Sequence, residues 1–390
     1  MDYIRKGLLI LGLWPEDHQV EKDFSILRYR SLAVLVLLII FLLVPQSANL
    51  IFVYNDLVLI TENLANVNVV AVTAIMKISV MKSNRKVLGE VIRSYMKDWI
   101  SIKDKEDRET MTQWEKVARK IIIGFLIMMV VVSAVVTFQK VFLIVQAEMN
   151  GTERGFIFQS YFPPICKVTP YYQMTCLGQV MATYCLASVY TVVDCMVYML
   201  IFHVYGQFLI LQRALIQTIN SKQNLQDPHR FKKGLGFVVR KHERLNWVAE
   251  TVEDSFNICF LFQVLFSTLV MCFQGFLVFK EVSVSENFPA NEVFFLVISV
   301  TSILLFMYFY CYMGELLIVS VSGMRDAVYE SDWYMLSPNN MKMLLFIVHR
   351  SNRPLKLTAG KFSVFSMQTF AKIVKTAVGY LSVLVGLEAV

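Results

Sequence analysis

Ionisable and amide side chains sit inside apolar runs of this 390-residue chain. At membrane depth the ionisable ones cost about 2.5–3.5 kcal/mol each, so each needs a reason. From Leu57 onward, Glu62, Asn66, Thr73 and Lys77 fall at helical spacing and share one face. Ser133, Thr137 and Lys140 do the same in a later run. Both faces are expected to point into a helix bundle rather than at lipid. Bond-making chemistry finds no support. The five His (His18, His203, His229, His242 and His349) are scattered. No H-E-x-x-H, Walker loop, G-x-S-x-G or C-x-x-C motif occurs. Neither an enzyme nor a metal or cofactor site is expected.

The elements that position these groups follow from composition. The chain is 56% hydrophobic and 17% charged, with mean hydropathy +0.54. A soluble chain of this length needs more charge to cover its surface. The apolar runs predict seven spanning helices, at about 31–54, 57–81, 119–146, 176–205, 257–280, 292–320 and 360–387. The second is the weakest run and is kept because the charge pattern requires it. The N-terminal apolar stretch is too short for a cleavable signal peptide, so the first span is expected to direct insertion.

Basic residues orient the bundle. Lys and Arg number five in 1–30, eleven in 82–120, eight in 206–256 and five in 321–359, against Arg154, Lys167 and Lys280 on the other face. The N-terminus is therefore expected in the cytoplasm and the C-terminus outside. The net charge of +7 reflects these inner loops and calls for no nucleic acid. The N-x-Ser/Thr sequon at Asn150 falls on the outer side, where glycosylation is permitted. Cys166 and Cys176 share an outer loop, so a disulfide and two free thiols both stay open. The expected fold is a single all-α membrane domain in which helices 4–6 continue into long intracellular extensions.

Depth along the helices puts Glu62 about 8 Å and Lys140 about 10 Å inside the outer boundary. They either meet as a buried pair or reach separately for the headgroups, whereas Lys77, near the inner end, is expected to extend to the inner surface. The outer halves of spans two to six present Val, Phe, Ile and Met with scattered hydroxyls and amides. That lining suits either a pocket for a small apolar ligand or ordinary packing through small polar residues. In the last span, Lys372, Thr376, Gly379, Val383 and Leu387 lie near one face. Such a face lines a water-filled path with an apolar constriction or packs within the bundle.

Three stretches carry a resemblance: DCMVYMLIFHVYGQFLILQRAL, RKHERLNWVAETVEDSFNICFLFQVLFSTLVMCFQGF, and the long run from YCYMGELLIVSVSGMRDAVYESDWY to FAKIVKTAVGYLSVL. With the early LGLWP, they resemble the insect odorant receptor family over nearly the whole chain. The resemblance implies an odour-gated, non-selective cation channel in the plasma membrane of an olfactory neuron dendrite. Such a subunit works with a shared co-receptor in a four-subunit assembly, whose seventh helices line one pore. By resemblance, Tyr380 matches the pore-helix Tyr, and Val383 and Leu387 match the hydrophobic gate. Gly386 stands where the co-receptor pattern has Gln, Gly379 stands where tuning receptors commonly have Ser, and the co-receptor's long insertion is absent. These departures imply a ligand-tuning subunit. Helical face and depth nominate Asn66, Val70, Ser133, Thr137, Phe138, Tyr184, Ala187 and Thr301 for its odorant pocket. A gustatory-type channel and a G-protein-coupled receptor are the rival readings. RPLKLTAGKF favours the odorant branch, and the cytoplasmic N-terminus opposes the second rival.

Overall fold

The computed structural model describes residues 2–15, 21–151, 155–223, 227–284, 290–353 and 355–388. Helix α1 (Asp2–Ile10) precedes α2 (Glu21–Leu38), which passes through a π turn, Ile39–Leu43, into α3 (Val44–Phe52). Pro45 accounts for the widened turn. It has no N–H to donate and crowds the carbonyl one turn back.

Asp56 starts α4 (Leu57–Asn63), its Oδ1 accepting from the backbone N–H of Val58 at 2.9 Å and of Leu59 at 3.1 Å. A second π segment, Leu64–Asn68, leads into α5 (Val69–Ser83), followed by α6 (Arg85–Ser101) and α7 (Lys105–Met149). Gly151, at φ +71°, ends α7 in the left-handed conformation that glycine adopts without strain.

The long helices are α8 (Tyr171–Asn220), α9 (Pro228–Val284) and α10 (Ala290–Tyr329). Asp227 caps α9, accepting from the N–H of His229 at 2.9 Å and of Arg230 at 3.3 Å, with Pro228 in the first turn. α11 (Pro338–Ser351), a hairpin of β1 (Thr358–Ala359) and β2 (Ser363–Val364), and α12 (Met367–Glu388) complete the chain.

The protein is all-α, and five of its helices are long and apolar enough to cross a membrane among the described residues. The expected span at 57–81 falls on α4, the π segment and α5 together. The last helix begins at Met367 rather than near 360, because Gly360 (φ +60°) and Lys361 (φ +63°) turn the chain into the hairpin first. At 50 residues, α8 is roughly 75 Å long, more than twice the bilayer core.

Helix α8 is the axis of the molecule. Every residue from Thr191 to Val204 is buried, as expected of a helix apolar all round. Asp194 and His203 in that stretch are both partnered. Lys77 Nζ lies 2.5 Å from Asp194 Oδ1, with the side chains 3% and 1% exposed. The expected inward reach of Lys77 is therefore not made, since a carboxylate inside the bundle holds it. His203 Nε2 lies 3.0 Å from Asp98 Oδ2, and Arg244 also binds this carboxylate.

Beyond these residues the extensions of α7, α8, α9 and α10 pack on one another. Arg213 reaches Glu106 at 3.2 Å, Asp107 at 3.1 Å and Thr110 at 3.0 Å. Trp114 meets Tyr205 edge-on at 4.5 Å, and Gln212 donates to the Ser320 carbonyl at 2.8 Å. Burial pushes the Asp98 carboxyl up, but His203 and Arg244 outweigh it and hold the group below its usual range. Burial lowers Lys241, and burial with the nearby Arg350 charge lowers His242 to about 4.

The hairpin docks on α9. The Gly360 N–H donates to the Asn257 carbonyl at 2.8 Å, and Lys361 pairs with Asp254 at 3.0 Å. The chain then crosses α10 at Gly314, where a Cβ would lie 2.3 Å from the Phe365 carbonyl oxygen.

Candidate functional site

A cavity of about 180 Å³ opens between α5, α7, α8, α9 and α10. Helix α8 supplies Thr183, Leu186, Ala187, Tyr190 and Thr191, the i, i+3, i+4, i+7, i+8 stripe of one helical face. Helix α7 supplies Met128, Met129, Val132, Ser133 and Val136, and α10 supplies Ser299, Ser302 and Phe306. Val67, Val70, Phe158 and Gln274 close the remaining sides. The walls are thus mainly aliphatic and aromatic with a few hydroxyls and one amide, the lining of a small-molecule site.

The aromatic walls are fixed by their neighbours. Tyr190 meets Phe306 edge-on at 5.4 Å, and Phe306 packs on Phe125 at 4.6 Å. Gln263 donates its amide to the Tyr190 hydroxyl. Lys77 Nζ lies 3.6 Å from the centroid of the Tyr190 ring. In a desolvated setting such a cation–π contact contributes about 2 kcal/mol. Tyr190 therefore joins the cavity wall to the buried Lys77–Asp194 pair.

Of the residues nominated from sequence, Val70, Ser133 and Ala187 line this cavity. Thr137 does not, and its hydroxyl donates to the Ser133 carbonyl at 2.8 Å. Phe138 is 75% exposed and stacks with Phe142. Tyr184 and Thr301 face outward, each one residue, or 100° of helix, from the lining Thr183 and Ser302. Asn66 lies in the π segment, and its side chain is outside the described set. Gln274, Tyr190 and Phe306 were not anticipated. The 183/186/187/190/191 stripe is readable in the sequence, but Gln274 is a single amide in an apolar run.

Glu62 and Lys140 stand together, with Lys140 Nζ 3.1 Å from Glu62 Oε1. Gln159 donates to the other carboxylate oxygen at 2.7 Å. The neighbouring amides brace the second π segment. Asn63 donates to the carbonyls of Gln46 and Gln159, both at 3.3 Å, and Asn68 donates to Asn63 Oδ1 at 3.3 Å.

Along α12, Ile373 and Ala377 are buried, while Lys372, Thr376, Gly379, Tyr380 and Val383 are exposed. Tyr380 and Val383 are 52% and 60% exposed, so one face of this helix carries aromatic and aliphatic groups uncovered by the chain itself. The side chain of Leu387 is outside the described set. Asn150 is exposed at the end of α7, and Thr152 of its sequon lies outside the described residues. Cys166 and Cys176 are free thiols, so the bond left open above is not formed. Cys176 packs against the core from α8, while Cys166 sits on the short 3-10 turn Pro164–Lys167.

Comparison with known proteins gives three findings. The profile described as 7tm Odorant receptor matches residues 60–378. Odorant receptor 13a of Drosophila melanogaster is 22% identical over 353 residues, 87% of this chain and 82% of that protein. Odorant receptor 9a of the same species is 27% identical over 225 residues, 57% of this chain and 54% of that protein, so this alignment spans about half of each. Among solved structures, the insect olfactory receptor OR5 from Machilis hrabei in complex with eugenol superposes with a TM-score of 0.84 at 14% identity. That match covers 99% of this chain and 97% of the other. A second structure of the same receptor superposes with a TM-score of 0.82 at 14% identity, over 98% of this chain and 97% of the other.

Proposed function

The chain belongs to the 7tm odorant receptor family, a family of receptors rather than enzymes, and on that premise we propose that it is the odorant-tuning subunit of a ligand-gated, non-selective cation channel. The observation that carries the reading is the cavity walled by five helices, with Tyr190 and Phe306 as its aromatic anchors. A volatile that enters it binds the open arrangement of the bundle better than the closed one. Only that difference shifts the gating equilibrium. A ligand of about ten heavy atoms gains about 5–8 kcal/mol, which corresponds to roughly micromolar to 0.1 mM binding.

In this reading seven helices span the plasma membrane of a sensory neuron, with the N-terminus inside and Asn150 and the C-terminus outside. The exposed face of α12 meets its counterparts in other subunits, co-receptor chains among them, around a shared pore. Tyr380, Val383 and Leu387 face that pore, with Val383 and Leu387 at the constriction. The uncovered state of Tyr380 and Val383 in the single chain supports this role. Ligand-driven movement of α8 and α10 reaches α12 through Gly314 and the Phe365 crossing, widening the constriction until it wets and conducts.

The test is electrical. Cells expressing this chain with an insect odorant co-receptor are expected to pass inward cation current when a panel of volatiles is applied. Cells expressing either chain alone should lack those ligand-specific responses. Responses identical with and without this chain would contradict the assignment.

A further inference from the structure

The polar atoms of the cavity are unevenly used. Thr183 donates its hydroxyl to the Gln179 carbonyl and Ser302 to the Ile298 carbonyl, both at 2.8 Å, so those protons are committed within their own helices. Gln274 donates its amide to Ser299 Oγ at 2.8 Å. Three groups remain. Gln274 is 3% exposed, and its Oε1 has no hydrogen-bond partner. Ser133 and Thr191 are 5% and 3% exposed, and neither hydroxyl makes a hydrogen bond among the described residues. All three residues line the same cavity, from three different helices.

A buried polar group without a partner is costly; Gln274 Oε1 is such a group, and two hydroxyls not committed elsewhere line the same small cavity. Ordinary packing disposes of such groups, as Thr183 and Ser302 do. Their convergence marks a place where the partner arrives with the ligand. Their chemistry narrows what that ligand is. A carbonyl oxygen only accepts, so Gln274 needs a donor, while Ser133 and Thr191 can give or take a proton. A single hydroxyl serves both demands: its proton goes to Gln274, and its oxygen accepts from Ser133 or Thr191. Ethers, esters and hydrocarbons leave Gln274 unpaired. An ammonium would find no carboxylate among the lining residues to offset its desolvation. At about 180 Å³ the space suits a single ring or a short chain, about six to ten heavy atoms.

We propose that this receptor is tuned to small alcohols or phenols, held by donation of the ligand hydroxyl to Gln274 Oε1. The inference rests on the receptor reading above and adds the ligand class to it.

The test uses ligands of equal heavy-atom count on the chain co-expressed with its co-receptor, within a broad volatile panel. One trio is benzyl alcohol, anisole and ethylbenzene; the other is hexan-1-ol, methyl pentyl ether and heptane. The alcohol of the better trio should be at least about tenfold more potent than its ether and hydrocarbon partners. Gln274→Met should remove that preference by weakening the alcohol alone. Should the variant fail to reach the cell surface, the trios on the native receptor decide. Ethers or hydrocarbons that match the alcohols, or a receptor that answers other volatiles but no alcohol, would overturn the ligand class and leave the receptor reading standing. Silence to the whole panel, with both subunits at the surface, would overturn both.

Discussion

Lys77 and Asp194 are the most consequential pair of single residues outside the cavity. They are 117 positions apart in sequence and sealed from solvent. Removing one partner strands the other charge in the core, a loss of about 3–5 kcal/mol, whereas replacing both with apolar groups restores much of it. Lys77→Met and Asp194→Leu should each lower the thermal midpoint of the purified receptor, and the double variant should recover part of the loss. Equal midpoints for all four proteins would count against the pair. Glu62 and Lys140, with side chains 28% and 19% exposed, are less enclosed by the chain than the Lys77–Asp194 pair. The sequence allowed the Glu62–Lys140 pairing because depth along two helices is readable from span boundaries. It hid the Lys77–Asp194 pairing because neither boundary reveals which way α8 is rotated. A third residue gives a pH signature. His242 titrates at about 4 in the fold against 6.5 when unfolded, so the unfolded chain takes the proton first. Stability from this group is full above about pH 6.5 and falls as the pH drops toward 4, by about 3 kcal/mol in total. His242→Phe should flatten that part of the midpoint-versus-pH curve, and an unchanged curve would contradict the assignment.

Among the elements, the crossing of α10 by the segment before α12 is a tight joint that leads into the last helix. At Gly314 a Cβ meets the Phe365 carbonyl oxygen at 2.3 Å, whereas at Gly124 on α7 a Cβ meets nothing within 4 Å. Gly314→Ala should therefore reduce surface labelling or shift resting current, and Gly124→Ala should do neither. Equal behaviour of the two variants would show that the crossing does not constrain the last helix. At this scale the sequence was informative about helix existence and poor about rotation. Apolar runs located the long helices, since length and hydropathy are local properties. The cavity stripe on α8 was missed at Tyr184 by one residue, and on α10 at Thr301 likewise. A 100° rotation is set by packing between distant segments, which no single run encodes. The start of the last helix was also misplaced, because the left-handed turn at Gly360 and Lys361 is a two-residue feature inside a run that reads as apolar.

For the whole molecule, the proposed function puts ligand recognition and conduction in separate places: a cavity walled by five helices, and one uncovered face of α12. The gate half of this division has its own expectation. Val383→Ser, co-expressed with the co-receptor, should raise resting current or alter permeation, because a hydroxyl wets an apolar constriction. Unchanged current and permeation would remove Val383 from the gate. The recognition half is the central claim, and Ala187 tests it most directly. This small side chain lines the cavity on α8, so Ala187→Phe adds a ring to a space of about 180 Å³. Concentration–response curves across the volatile panel should shift by tenfold or more for the largest ligands and less for the smallest. The same rank order and the same potencies in native and variant receptors, both at the surface, would mean that odorants bind elsewhere.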